Sequence, residues 1–159
     1  MTTLYVREGS EFRVAESQLI LEKADQLISN RFRVGAPVLD HPQRTRQFLR
    51  YHLGGREFEI FGLIHLDSRH RLIALEDLFR GTIDGTDVYP REVLKSALQH
   101  NSQALILFHN HPSGLPEPSA VDIGITRQLK DALAMVDVRL VDHMVVGETV
   151  YSFSEHGLL

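Results

Sequence analysis

Apolar residues recur along this chain with two periods, one helical and one extended, and the switches between them mark out its elements. From Ser17 to about Ile28, the residues Leu19, Ile20, Leu21, Ala24, Leu27 and Ile28 fall at helical spacing and predict an amphipathic helix. Residues 1–14 hold no sustained period and read as irregular. Gly35 and Pro37 interrupt the chain. Asp40 then offers an N-cap and Pro42 a first-turn residue for a second helix that carries Phe48, Leu49 and Leu53 and stops at Gly54-Gly55. Between Phe58 and Leu66 both side-chain parities are largely apolar, which predicts a central strand buried on both faces with Glu59 as its one misplaced charge. Asp67-Ser68-Arg69-His70 turns the chain, and Arg71 to Phe79 returns as an antiparallel neighbour. Asp84-Gly85 marks a further turn.

Pro90 opens a helix to about Asn101, with Val93, Leu94, Ala97 and Leu98 on its inner side. Ala104-Leu105-Ile106-Leu107 is an apolar run suited to a buried strand, a helix follows from Ser119 to about Met135, and Val138 to Val141, His143 to Val146 and Val150 to Phe153 complete the sheet. The whole predicts an α/β fold, a mixed β-sheet flanked by helices. A chain of 159 residues supports one ordinary core and is short for two. We therefore divide it into a short helical N-terminal extension, residues 1–53, and a principal domain, residues 54–159.

Composition narrows the function classes. A net charge of −4 and a pI near 6.1 give no general attraction to phosphate backbones or anionic membranes, so any nucleic-acid role needs a local patch. Arg31, Arg33, Arg44, Arg46, Arg50 and Arg56 form the basic stretch, and interspersed acids make a solvated face its ordinary reading. The absence of cysteine excludes disulfides and thiolate ligands, so a metal must be held by nitrogen and oxygen. No apolar run approaches the roughly 18 residues of a membrane span, and Met1-Thr2-Thr3-Leu4 lacks the regions of a signal peptide. These absences fit a reducing cytoplasm and no membrane partner.

The chemistry concentrates in Phe108-His109-Asn110-His111-Pro112-Ser113-Gly114, where the buried strand leaves the core. Side chains two apart in an extended segment share a face, roughly 6 to 7 Å apart, so His109 and His111 can meet one ion while Asn110 points away. Pro112, Gly114, Pro116 and Pro118 turn the chain, and Ser119-x-x-Asp122 starts the next helix and returns a carboxylate toward the histidines. Ser119-x-x-Asp122 is also a capping box that needs no metal. Two imidazoles and a carboxylate with a fourth position for water are the ligand set of a catalytic zinc site, which assigns one Zn2+ per chain to His109, His111 and Asp122.

Taken together, His-x-His-Pro, the seven residues separating His111 from Ser119 and the two separating Ser119 from Asp122 resemble the JAMM, or MPN-plus, metalloprotease motif. The longer wording His-Asn-His-Pro-Ser-Gly with Pro-Ser-x-x-Asp is similar to the RadC branch of that superfamily. Glu59-Ile60-Phe61-Gly62-Leu63-Ile64-His65-Leu66-Asp67, Pro90-Arg91-Glu92-Val93 and Asp142-His143-Met144-Val145-Val146-Gly147 resemble the RadC domain in the same order, over about residues 54–159. The ending from Tyr151 to Leu159 resembles short prophage-associated members; the first fifty residues carry no such resemblance. The fold this implies is the JAMM and cytidine-deaminase-like architecture.

The resemblance also implies roles. JAMM proteins carry a glutamate on a strand upstream of the histidine pair that takes a proton from the zinc-bound water, and Glu59 stands at the matching place. Glu57, two residues away on the same strand face, is its rival, and a salt bridge with Arg56 or Arg91 or an edge position is its non-catalytic alternative. Ser119 is implied as the donor to the oxyanion. Ser113, Gly114 and Asn110 read as shaping the loop, and Asp142 and His143 either support the metal or are outward polar residues. The implied activity is hydrolysis of an amide bond in a peptide or isopeptide. The alternative is a DNA-repair or mobile-element accessory protein that binds DNA or repair partners, for which Arg44, Arg46 and Arg50 are the candidates. A zinc deaminase is disfavoured, because its Pro-Cys-x-x-Cys ligands are missing and His-x-His stands in place of His-x-Glu.

Overall fold

Ile60, Ile64 and Leu66 belong to one core cluster and Phe61 and Leu63 to the other, so β3 (Ile60–Leu66) is buried on both faces, as a run apolar in both parities requires. The structure is a computed structural model and describes residues 5–8, 10–31, 42–82 and 85–159. The expected break at Gly35 and Pro37, the Asp40 cap and Asp84 of the Asp84-Gly85 turn lie outside those residues.

The principal sheet has the order β4-β3-β5-β6-β7, with β4 at Leu72–Arg80, β5 at Ala104–Asn110, β6 at Arg139–Val146 and β7 at Val150–Ser152. β3 pairs antiparallel with β4 and β5, β5 pairs parallel with β6, and β7 closes the far edge antiparallel. The result is an α/β fold with a mixed five-stranded sheet flanked by helices. One face is covered by α2 (Pro42–Leu53), whose Phe48, Leu49 and Leu53 pack with Ile60, Ile64 and Phe108. The other face is covered by α3 (Pro90–Gln99) and α4 (Ala120–Ala134), which bring Val93, Ala97, Leu129 and Leu133 onto Leu63, Leu105 and Leu107. Each fully buried leucine in these layers contributes about 1.5–3 kcal/mol relative to exposure. Gly62 is required by the first layer, since a Cβ there would stand 2.2 Å from the Phe108 ring and 2.5 Å from the Glu76 carbonyl.

The structure departs from the sequence expectations in five places, one of them Leu98, expected on the inner side of α3 and in fact exposed. Residues 5–8 and 11–14, expected to be irregular, are instead strands, because β1 (Tyr5–Glu8) and β2 (Glu11–Val14) pair antiparallel ahead of α1 (Ser17–Arg31). Both strands span only four residues, and Phe12 and Val14 are exposed, so neither length nor burial leaves a period to read. β6 is continuous through Asp142, where the sequence predicts a break between two strands; its buried carboxylate accepts from Ser152 Oγ at 2.6 Å and from the Ser154 amide at 3.0 Å. β7 ends at Ser152 rather than Phe153. Finally, β3 begins at Ile60, so Glu59 precedes the strand instead of being buried within it. It is nevertheless extended, with its amide donating to the Thr82 carbonyl and its carbonyl accepting from the Gly81 amide, both at 2.9 Å.

Candidate metal centre

β5, α4 and β6 form a parallel crossover unit, and the candidate site lies at the C-terminal end of β5, where open α/β sheets gather their ligands. His109 is fully buried on β5, and His111 lies just past its end, with its amide donating to the Val146 carbonyl at 2.9 Å. The loop beyond turns at Gly114, whose φ of 84° favours glycine. Gly147 admits that turn closely, since a Cβ on it would meet the Gly114 carbonyl oxygen at 2.3 Å. The chain then enters α4 through a complete capping box, in which the Asp122 amide donates to Ser119 Oγ at 3.1 Å and the Ser119 amide donates to Asp122 Oδ2 at 2.6 Å.

This places the expected ligands together. His109 Nε2 is 3.3 Å from Asp122 Oδ1, His111 Nε2 is 3.5 Å from Asp122 Oδ2, and the two imidazole nitrogens are 3.0 Å apart. Two ligands about 2.1 Å from a tetrahedral zinc ion stand about 3.4 Å apart, so the spacing fits a cation at their centre. The hydrogen bonds behind the rings point the same way. His111 Nδ1 lies 2.7 Å from the Leu115 carbonyl, which can only accept, so Nδ1 carries the proton and Nε2 the lone pair. His109 Nδ1 lies 2.8 Å from His143 Nε2, His143 Nδ1 lies 2.6 Å from Thr126 Oγ1, and Thr126 Oγ1 donates to the Asp122 carbonyl at 2.5 Å. Read back from that carbonyl, each proton has one direction, from His109 to His143 to Thr126, and the lone pair of His109 is left at Nε2. Two bare nitrogens and a carboxylate thus converge, an arrangement that asks for a proton or a cation.

The electrostatics agree. Burial raises the Asp122 carboxyl, but hydrogen bonds from His109 and His111, the His109 charge and the Ser119 hydroxyl more than offset it and hold it well below the carboxylate range. The hydrogen bond to Asp122 raises His111 against the opposing effect of burial. His143, fully buried and beside His109, is held well below the ordinary histidine value, first by desolvation and then by the His109 charge. It therefore stays a neutral relay.

Glu59 faces the same place. It lines, with His111, Ser119, Asp122, Tyr89 and Val121, an open cleft of about 1170 Å³. Burial raises its carboxyl, and the nearby charges that act on it are His109, His111 and Asp122, with no arginine among them. Asn110, the residue between the histidines, points to the other face of β5 as expected, but it does more than shape a loop. Its Oδ1 accepts from the Ile60 amide at 2.8 Å and its Nδ2 donates to the Phe58 carbonyl at 3.0 Å, gripping the backbone on both sides of Glu59. Glu57 is exposed and is not among the residues lining the cleft. Ser119 also borders the cleft, and its hydroxyl donates to Asp122 Oδ2 at 2.6 Å.

Residues 39–158 match the RadC-like JAB domain. The UPF0758 protein of Thioalkalivibrio sulfidiphilus is 52% identical over 147 residues, which cover 92% of this chain and 66% of that protein. That of Leptothrix cholodnii is 54% identical over 91% of this chain and 65% of its own length, and that of Vibrio cholerae is 50% identical over 88% of each. The chain belongs to the RadC family. It spans about two thirds of the first two relatives' length, and the name UPF0758 states no activity. The likeness reaches into the first fifty residues, where the sequence alone suggested none, since the alignment to the Thioalkalivibrio protein leaves out only 8% of this chain.

For this RadC chain, the relay behind His109 was the least legible part of the site. The sequence leaves His143 either supporting the metal or pointing outward and gives Thr126 no distinguishing signal beyond its place one helical turn after Asp122, on the same face of α4. Thr126→Val keeps the shape but leaves His143 Nδ1 without its partner, while the Asp122 carbonyl keeps its helical amide. We expect it to weaken metal binding about 10- to 100-fold, the usual effect of removing an outer hydrogen bond, as measured by competition with a chromophoric chelator. Unchanged affinity would show that the relay does not orient His109. Of the basic residues, Arg44 and Arg50 are exposed, Arg46 is ion-paired with Glu155, and none of the three lines the cleft. Among the described residues, no helix is long and apolar enough to cross a membrane.

Proposed function

We propose that this RadC-family chain is a zinc-dependent hydrolase of amide bonds in a peptide or isopeptide. The observation that supports it best is the shared cleft, in which a half-buried carboxylate, Glu59, faces the group formed by His109, His111 and Asp122. That nitrogen and oxygen donor set, with no thiolate, suits zinc. When bound there, the ion supplies a Lewis acid and brings a water toward neutrality in pKa.

The chain's own groups supply the rest. Glu59 takes the proton of the attacking water on its carboxylate and returns it to the leaving amine, and its raised pKa favours both halves of that exchange. Asn110 holds its backbone still while it does so. The Ser119 hydroxyl turns about its own Cβ–Oγ bond from Asp122 Oδ2 to the developing oxyanion, and this motion leaves its oxygen in place as the helix cap. His143 and Thr126 engage the His109 Nδ1 side and leave Nε2 directed at Asp122 and the ion's place.

Elemental analysis of protein purified without added metal, paired with a screen of peptide and isopeptide libraries, tests the reading. Zinc that co-purifies and cleavage that a chelator stops are expected; metal without turnover of any amide would favour the accessory role instead. The metal should also be pH-sensitive. Protons compete for the histidine nitrogens, and the Asp122 contact raises His111, so affinity falls as pH drops through a point above about 6.5, the ordinary histidine value. In the metal-free protein the sign is the reverse. A raised histidine stabilises the fold below its unfolded pKa, and that stability is lost as pH rises through the folded value. Chelator competition between about pH 8 and about pH 5.5 should show this fall, and a flat profile would contradict imidazole ligation.

A further inference from the structure

On the face of the sheet that carries His109, β3 and β4 meet the end of α3 in a second polar cluster. In their register Phe61 lies opposite His109 and His65 opposite Leu105, so the two histidines are separated by four residues of strand, roughly 13 Å. His65 is fully buried at a position whose neighbours along β3, Leu63 and Leu66, are apolar and fully buried. A polar ring there is costly unless both nitrogens are satisfied. One nitrogen is well placed, with Nδ1 at 2.7 Å from Ser102 Oγ. The other is not: Nε2 lies 3.4 Å from Glu76 Oε2 and 3.3 Å from Ser96 Oγ, beyond the usual 2.7–3.2 Å of a hydrogen bond.

The 3.4 Å between His65 Nε2 and Glu76 Oε2 is the length that a shared cation gives. Two ligands about 2.1 Å from a tetrahedral ion stand about 3.4 Å apart, and the matching pairs at the first site measure 3.3 and 3.5 Å. His100, at the C-cap of α3, completes the group. Its ring stacks on His65 with centroids 4.1 Å apart, and its Nδ1 lies 3.0 Å from the Ser96 carbonyl, which leaves the lone pair to the other nitrogen. One donor atom from each of His65, Glu76 and His100 lies within 4.8 Å of the others. The Ser96 hydroxyl hydrogen-bonds Glu76 and orients its carboxylate. Burial first, and then the His100 charge, lower His65 to about 4, so near neutrality it offers a lone pair rather than a second proton.

We propose that His65, Glu76 and His100 form a second site for a borderline divalent cation of the zinc type, structural in role and independent of His109, His111 and Asp122. Its ligands come from β3, β4 and the end of α3, so an ion there clips the hairpin to the helix and binds the folded chain alone. The donor set of two nitrogens and one oxygen selects zinc over calcium or magnesium.

The test is a titration of chelator-stripped full chain with zinc, followed by calorimetry, and with cobalt, followed by visible absorption. His65 is too deeply buried for its removal to be clean, so the variants are Glu76→Gln and His100→Asn, both at partly exposed positions. About two equivalents are expected for the wild type, about one for each of these variants and about one for His111→Ala, with none tightly held when His111→Ala and His100→Asn are combined. Zinc should also raise the melting temperature of His111→Ala, and the rise should vanish in the combined variant. A single equivalent in the wild type, or a second that survives both Glu76→Gln and His100→Asn, overturns the proposal. Because His111→Ala empties only the first site, failure of the hydrolase reading and failure of this one remain separate results.

Discussion

Under the proposed hydrolase function, Glu59→Gln is expected to leave the protein folded and zinc bound, yet to lower turnover of an amide substrate by about 10² to 10⁴, the usual contribution of a general base. Glutamine keeps the size and hydrogen-bonding shape of the side chain but accepts no proton near neutrality. The backbone around residue 59 is held by Asn110, Gly81 and Thr82 through main-chain groups, none of which the substitution touches. Steady-state kinetics, zinc content and melting temperature measured together check the expectation. Glu57→Gln is the control, because that side chain is exposed and is not among the cleft's lining residues, and it should retain activity. Loss in Glu57→Gln with full activity in Glu59→Gln would move the base by two residues. Loss of zinc in Glu59→Gln would make Glu59 a ligand or a ligand's support, and the open position for water would have to be given up.

Removing either imidazole is the second large effect. His109→Ala or His111→Ala takes away one of the three candidate ligands and should abolish tight binding of the first zinc, read as metal content after gel filtration through chelator. The two should differ in stability. His111 is partly exposed, so its loss opens little space, whereas His109 is fully buried and stacked on Phe61 with ring centroids 6.0 Å apart. His109→Ala should therefore cost about 2–4 kcal/mol as a cavity and an unpaired His143, measured by denaturant unfolding in the presence of chelator. Tight zinc that persists in both variants would show that these are not the ligands.

What could be read from sequence was what local rules decide. The parity of β5 put His109 and His111 on one side and Asn110 on the other, and the capping box at Ser119 and Asp122 located the start of α4, because each needs only neighbours within a few residues. What could not be read depends on distant partners. β3 starts at Ile60 because Glu59 pairs with Thr82 and Gly81 rather than with β4 or β5. β6 runs through Asp142 because Ser152 and Ser154, ten and twelve residues later, satisfy its carboxylate. His143 and Thr126 are 17 residues apart and meet only through the crossover that stacks α4 on β6. The N-terminal hairpin exposes Phe12 and Val14, so burial leaves no alternation in its sequence.

The tripeptide His109-Asn110-His111 addresses both halves of the candidate site from opposite sides of one strand. Its odd members reach Asp122, and its even member holds the backbone of Glu59. A slip of β5 by a single residue would turn all three side chains to the wrong side at once, since strand parity is two. The strand therefore acts as a common ruler. A shifted register would therefore disperse the His109, His111 and Asp122 group and release the backbone of Glu59 in the same step.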